Sequence, residues 1–139
     1  MQGNDFVKIL LNSPLQGLLG SNLMLITVLG RKSGRSITTP VNYYRVGNIL
    51  WVISKRDRKW WRNLRGGADV ALRLQGRNMQ ACAEAITDEQ VIGAQIGEYL
   101  RHLPMSAAPM GVRLQNGIAN CEDTARLAKE RVFVKIQLN

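Results

Sequence analysis

A chain of 139 residues, 45% apolar and 21% charged, is long enough to fold as one domain around an ordinary hydrophobic core. This composition excludes a disordered protein, and the longest apolar run is far shorter than the roughly 20 residues of a membrane-spanning helix. The net charge of +9 indicates an anionic partner: nucleic acid, an anionic membrane surface or a phosphorylated small molecule.

The first 22 residues predict a helical segment. Residues 5–11 can form a short helix, and Ser13-Pro14 is a typical helix start, with Ser as the cap and Pro in the first turn. Residues 1–5, Met-Gln-Gly-Asn-Asp, provide no basic region before an apolar segment, so we expect no secretory signal and a cytoplasmic protein.

The middle of the chain predicts short strands joined by tight turns. Apolar or alternating runs bounded by Gly, Asn and Pro are typical of antiparallel sheets. Pro40 has no N–H to donate, so we expect its strand to lie at a sheet edge or to contain a bulge. Residues 60–65 predict a short helix that ends at Gly66-Gly67. The predicted strands are 23–29, 36–45, 49–53, 70–74, 78–86 and 131–138.

Helices are predicted between the fifth and sixth strands. Residues 87–90, Thr-Asp-Glu-Gln, have the spacing of a capping box, which predicts a helix from 88 to about 103. Residues 123–129 weakly predict another helix, and Pro104 and Pro109 interrupt an otherwise unreadable stretch, 105–120. We expect the first helix to pack through Val91, Ala94, Ile96, Tyr99 and Leu100.

The fold class that follows is β-rich α+β, with about six mostly antiparallel strands and short flanking helices. Strands in that number close into a barrel or pack as a sandwich. Cys82 and Cys121 lack CxxC spacing, which favours a reducing compartment. We expect both to be small core residues, with a disulfide between them as the alternative.

The positive charge is concentrated in residues 31–77. Twelve Lys or Arg and two Asp give this window a net charge of +10, so the rest of the chain carries −1. Cations beside the N–H groups of a turn can bind anionic oxygens, and Trp60 could add a flat apolar wall for a ring system. Alternatively, charges gather on turns because turns are solvated, and Trp60 and Trp61 are core residues.

Few residues are candidates for catalysis. His102 is the only histidine, and with two distant cysteines it provides no ordinary zinc site, so we expect no metal. A Ser-His-Asp arrangement would need His102, which we interpret as a surface or capping residue. The turn Gly30–Gly34 joins two strands, the wrong context for a Walker A or Rossmann loop. The sequence therefore identifies no catalytic residue.

The run Gly30-Arg-Lys-Ser-Gly34, with Thr38-Thr-Pro40 and Trp60-Trp-Arg-Asn-Leu64 after it, resembles the deazaflavin-dependent nitroreductases, the coenzyme F420-dependent quinone and nitro reductases. The resemblance covers most of the chain and is densest in 23–77. It implies a single split β-barrel domain over 1–139 and hydride transfer from reduced F420 to a quinone, nitro compound or activated alkene. The cofactor carries such chemistry, while the protein supplies position and electrostatic field.

The resemblance also implies a set of cofactor-binding residues. In the family the basic turn holds the phosphate and polyglutamyl tail of F420, residues after the third strand line the deazaflavin pocket, and an aromatic residue opens the next helix. Related split barrels use FMN, haem or biliverdin, so FMN stays an alternative cofactor. The positions that correspond here are Arg31, Lys32 and Ser33 on the turn, then Ser54 and Lys55, then Trp60.

Two non-enzymatic classes remain open. A nucleic-acid-binding barrel would spread basic residues and interleaved aromatics over an open face, whereas the tryptophans here are clustered and the strands apolar. A carrier could hold a lipid or cofactor in the barrel, and its basic window could dock on anionic lipid. The expected partners are a small-molecule cofactor and substrate, with peripheral contact to an anionic membrane and a homodimer as alternatives.

Overall fold

The computed structural model describes residues 23–138, which form a closed barrel of six antiparallel strands with helices on its outer face. The predicted helical segment, 1–22, lies outside the described residues. The elements in chain order are β1 (Leu23–Leu29), β2 (Ser36–Val46), β3 (Ile49–Lys55), a 3₁₀ helix (Trp60–Leu64), β4 (Ala68–Leu74), β5 (Arg77–Ile86), α1 (Glu89–His102), a second 3₁₀ helix (Pro104–Ser106), β6 (Leu114–Gln115), β7 (Ile118–Ala119), α2 (Cys121–Glu130) and β8 (Arg131–Leu138).

The barrel confirms the predicted fold class and excludes the sandwich alternative. Its strands are adjacent in the order β1-β2-β3-β8-β5-β4, and β4 closes the barrel by pairing with β1. All six strands were predicted, with ends that differ by one or two residues. The last strand, β8, enters between β3 and β5, so Arg131 at its start lies opposite Lys55 at the end of β3.

The barrel interior is filled by side chains that alternate along each strand. In β8, Val132, Val134 and Ile136 point inward and are fully buried, as their strict alternation predicts. Trp61 and Leu64 of the first 3₁₀ helix belong to the same core, and that helix contacts β1 and β5. The short helix is therefore fixed to the barrel by its own apolar residues.

A second core lies between the outer face of the barrel and the two α-helices. Phe133 of β8 points outward and is buried there with Ile92, Ile96 and Leu127. The predicted packing face of α1 was wrong at Val91, which is 48% exposed, and at Ala94, also exposed, and it omitted Ile92.

The start of α1 also differs from the prediction. The helix is capped by Asp88, not Thr87: the Asp88 carboxylate accepts hydrogen bonds from the backbone N–H groups of Gln90 and Val91, at 2.9 and 3.1 Å. The helix therefore begins at Glu89, one residue later than predicted, and Ile92 is buried against the barrel.

The prediction that both cysteines are core residues was wrong. Cys82 and Cys121 are exposed, free thiols. Along β5 the inward positions are taken by Ala81 and Ala83, so the period of two places Cys82 on the outer face. Its thiol donates a 3.3 Å hydrogen bond to Asp69, which raises the pKa of Cys82.

Candidate functional site

The strands β2 and β3 are hydrogen-bonded along only part of their length. These strands pair over only four residues each, from Tyr43 opposite Val52 to Val46 opposite Ile49, although β2 pairs with β1 along Ser36 to Asn42. Pro40 is opposite Leu25 of β1 and has no partner in β3, so it occupies the edge predicted for it. The gap between residues 40–42 and 53–55 opens into a cavity of about 490 Å³.

One part of the cavity lining is polar and cationic. It comes from β2, the end of β3, the loop after β3 and the first residue of β8, which pairs directly with Lys55. A volume of this size fits a small-molecule site, and converging cations favour an anionic group in it. The residues of this part are Asn42, Ser54, Lys55, Arg58 and Arg131.

A buried polar contact joins two of the predicted site residues. Ser54 continues the inward-facing row of Leu50 and Val52, but it is polar and lies at the cavity. The Trp60 indole Nε1 donates a 3.1 Å hydrogen bond to the Ser54 hydroxyl, and Trp60 is only 5% exposed. The indole is thereby fixed as part of the cavity wall.

The basic turn between β1 and β2 does not line this cavity. The turn is compact because Gly34 adopts a positive φ of 68° and Gly30 leaves room for the Ser33 hydroxyl, which would lie 2.8 Å from a Cβ at that position. The Ser33 hydroxyl accepts a 3.2 Å hydrogen bond from the Arg35 N–H. Lys32 and Arg35 are exposed and form no ion pair within residues 23–138.

Arg31 connects this turn to the helix that carries Trp60. Its backbone N–H donates to the Asn63 side-chain oxygen at 3.0 Å, and Asn63 donates in turn to the Trp60 carbonyl at 3.1 Å. The Arg31 guanidinium donates to the Arg65 carbonyl, with the Gly67 carbonyl 3.4 Å away. Of the six predicted residues, Ser54, Lys55 and Trp60 line the cavity, while Arg31, Lys32 and Ser33 lie on a turn attached to it.

Arg56 holds the loop between Lys55 and Trp60 in place. Its Nη2 nitrogen lies within hydrogen-bond distance of the carbonyls of Thr87, Ala128 and Arg131, at 3.2, 3.1 and 3.1 Å. Its backbone N–H donates to the Glu130 carbonyl at 2.8 Å. The loop that presents Lys55 and Arg58 is therefore attached to the starts of α1 and β8.

Several lining residues escaped the sequence analysis, among them Arg58, Arg131 and Tyr99. Arg58 belongs to the recognised basic run, but nothing local distinguishes it from its neighbours. Arg131 reaches the site only because β8 pairs with β3, a long-range contact. Tyr99 was expected in the core and is 2% exposed, yet it also borders the cavity; burial raises its pKa to about 12, so its hydroxyl stays protonated at neutral pH.

A buried carboxylate anchors the segment that follows α1. Asp123 is 4% exposed and accepts hydrogen bonds from the Arg113 backbone N–H at 2.9 Å and from Arg113 Nε at 3.0 Å. These hydrogen bonds, with the charges of Arg113 and Arg126, lower the pKa of Asp123 to about 2. We call Arg113, Asp123 and Arg126 the Asp123 clasp.

His102 has the surface position predicted for it. Its ring stacks on Tyr44 with centroids 4.5 Å apart, and it does not line the cavity. In the part of the chain that the structure describes, no three His, Cys, Asp or Glu side chains are grouped to hold a metal ion. No helix between residues 23 and 138 is long and apolar enough to cross a membrane.

Comparison with known protein families gives a match. A family model described as F420H(2)-dependent quinone reductase matches residues 12–93, more than half of the chain. A comparison with curated proteins gives no match.

Several solved structures share the fold. The flavocytochrome Anf3 from Azotobacter vinelandii has a TM-score of 0.53 at 14% identity; the alignment covers 90% of this chain and 65% of the flavocytochrome, so this chain spans under two thirds of it. A putative pyridoxamine 5'-phosphate oxidase from Listeria innocua has a TM-score of 0.55 at 10% identity over 100% and 94% of the two chains. A protein described as an F420 reductase has a TM-score of 0.51 at 12% identity over 91% and 94%. Identities this low establish the shared split barrel and nothing beyond it.

Proposed function

The chain belongs to the F420H(2)-dependent quinone reductase family, whose members are oxidoreductases, and on that premise we propose that it uses reduced coenzyme F420 to reduce a quinone. The cofactor would supply a hydride, and the quinone would take up that hydride and a proton to become a hydroquinone. Nitro compounds and activated alkenes are further acceptors for the same hydride. The observation that carries the proposal is the cavity at the barrel split, with its cations beside a fixed indole.

The residues of the cavity fit an anionic cofactor with a flat ring. Lys55, Arg58 and Arg131 supply positive charge, and none of the described residues that line the cavity is Asp or Glu. The Trp60 indole offers a flat face, and the Ser54 hydroxyl offers a polar contact at the inner end. In this arrangement the protein would bind and orient the ring at the gap between β2 and β3.

The basic turn would hold the part of the cofactor that extends beyond the cavity. Lys32 and Arg35 are exposed and lack acidic partners among the described residues, so they are available to an anionic tail. Arg31 is already engaged with the carbonyls of Arg65 and Gly67, so its main contribution would be to fix the turn beside the cavity, with Ser33 bracing the turn from within.

FMN is the second candidate cofactor. It also combines a flat ring with a phosphate, and one protein of the same fold is described as a flavocytochrome and another as a putative pyridoxamine 5'-phosphate oxidase. The same cations and the same indole would serve FMN. The two cofactors differ outside the ring, because only F420 carries the polyglutamyl tail that Lys32 and Arg35 would bind.

A parallel titration tests the proposal. Tryptophan fluorescence of the purified protein at moderate salt should report saturable binding, since Trp60 lines the cavity, and we expect tighter binding of F420 than of FMN. The variant Trp60→Phe should lose most of the signal, whereas Trp51→Phe, outside the cavity, should retain it. Tighter FMN binding would keep the oxidoreductase but exchange the cofactor, and binding of neither would refute the proposal.

Two lysine variants separate the cavity from the turn. Lys55→Ala should weaken F420 binding by roughly 10-fold, because it removes a charge-assisted bond at the cavity. Lys32→Ala should weaken it by roughly fivefold, because the turn lies outside the cavity lining. Arg31→Ala should also weaken it and lower stability slightly, through loss of the tether. Isothermal titration against Lys129→Ala, an exposed lysine on α2, provides the control; unchanged binding in Lys32→Ala and Lys55→Ala would contradict the assigned site.

A further inference from the structure

The cavity is lined by two chain segments of opposite chemistry. Residues 55–59, Lys-Arg-Asp-Arg-Lys, are all charged, whereas residues 104–112, Pro-Met-Ser-Ala-Ala-Pro-Met-Gly-Val, contain no charge at all. Both contribute to the same lining: Lys55 and Arg58 from the first, and Met105, Pro109 and Met110 from the second. An anionic cofactor explains the first segment and gives no reason for the second.

The apolar segment exposes side chains that water solvates poorly. Met105 is 90% exposed at the rim of the cavity, and Met110 is half-buried in the lining. Methionine is long, unbranched and polarisable, so it adapts to flat apolar surfaces of varied shape. A pair of methionines at a cavity entrance is therefore suited to a planar apolar molecule that enters from solvent.

The position of this segment is also fixed by packing and hydrogen bonds on its buried side. Ala107 and Val112 are buried in the helical core, and the Val112 N–H donates to the Ala107 carbonyl at 2.9 Å. Directly after them the Asp123 clasp begins: Arg113 bonds to Asp123, and Arg126 Nη2 donates to the Gly111 carbonyl at 2.8 Å. The clasp therefore fixes the end of the loop that carries both methionines.

We propose that residues 104–110 form the acceptor wall of the cavity, where Met105 and Met110 select planar apolar acceptors and Asp123 positions the wall through its clasp. The inference rests on the proposed function, because it assigns the charged segment to the cofactor and the apolar segment to the quinone. It predicts that acceptor binding and cofactor binding depend on different residues of one cavity.

Direct binding of a quinone to the full-length protein without cofactor tests the wall. We would titrate menadione, an uncharged naphthoquinone, and a sulfonated benzoquinone, and follow quenching of tryptophan fluorescence. The double variant Met105→Gln/Met110→Gln preserves side-chain length and should raise the Kd for menadione roughly tenfold, since it removes apolar contact area. The Kd for the sulfonated quinone and for F420 or FMN should not change. The control is Ile118→Gln, a 71% exposed residue of β7 outside the lining, which should bind menadione as the parent does.

Clasp variants test the positioning role. Asp123→Asn should raise the KM for menadione while kcat at saturation and the cofactor Kd stay near the parent values. Arg126→Met removes the bond to Gly111 and the 3.4 Å ion pair with Asp123 and leaves the Arg113–Asp123 pair, so it should produce a smaller rise in KM and a smaller fall in Tm than Asp123→Asn.

The outcomes separate this inference from the proposed function. Failure to bind F420 and FMN, with menadione binding still dependent on the methionines, would refute the cofactor assignment alone. Three results would each overturn the acceptor wall, provided that the cofactor binds. The first is no binding of menadione, and the second is an equal loss of menadione binding in the methionine variant and in Ile118→Gln. The third is a clasp variant that changes stability but not the KM for menadione. Binding of the parent protein to anionic vesicles through Met105, without an effect on menadione, would overturn it in favour of a membrane contact.

Discussion

Replacing Arg56 by methionine is expected to lower the free energy of unfolding by about 2–4 kcal/mol, with a fall in Tm of roughly 10 °C. Methionine fills similar space but leaves the carbonyls of Thr87, Ala128 and Arg131 without their shared donor. Two of these carbonyls are partly buried, and a hydrogen bond from a charged donor contributes more than the mean hydrogen bond. Because the loop also carries Lys55, we expect weaker cofactor binding as well.

Chemical denaturation followed by circular dichroism measures this loss. The matched control is Arg45→Met, because the Arg45 guanidinium donates to a single carbonyl two residues away, that of Gly47 at 2.7 Å, on an exposed turn. That control should cost less than about 1 kcal/mol. Equal losses in both variants would mean that Arg56 does not join the three elements.

Substitutions at the two adjacent tryptophans should have different effects: those at Trp61 should lower stability, and the one at Trp60 should weaken cofactor binding. Trp61→Ala is expected to cost about 3–5 kcal/mol, because Trp61 is 1% exposed in the barrel core and its removal leaves a large void. Trp61→Phe should cost much less, roughly 1 kcal/mol, because the Trp61 Nε1 is buried without a partner and the change removes that unpaired donor.

Trp60→Phe should show the opposite pattern. The change removes the hydrogen bond from the indole to Ser54 at the cavity, so we expect a small loss of stability and cofactor binding weaker by several-fold. Thermal unfolding and cofactor titration of all three variants give the comparison. If Trp61→Phe weakens cofactor binding as much as Trp60→Phe does, the assignment of Trp60 to the cavity wall fails.

The order of the elements could be predicted from local patterns. The alternation of β8 and the missing donor of Pro40 depend on residues next to each other, and both predictions agree with the structure. Local patterns failed where two similar signals compete. Thr87 and Asp88 can both cap a helix, and the structure uses Asp88; Val91 and Ile92 are both apolar, and only Ile92 is buried. Similarly, the alternation of side chains in β5 does not by itself show which set faces the barrel interior, and Cys82 lies on the outer face.

The sequence by itself determined six strands, the concentration of charge in 31–77 and the family to which these motifs belong. Only the tertiary structure decided which charges share a cavity. Arg131 meets Lys55 because β8 enters the barrel beside β3, and the uncharged segment 104–110 borders the same cavity because α1 and α2 pack against the outer face. Side-chain periodicity is a local property of the chain, whereas strand order and helix placement follow from packing between distant residues, which no single stretch of sequence encodes.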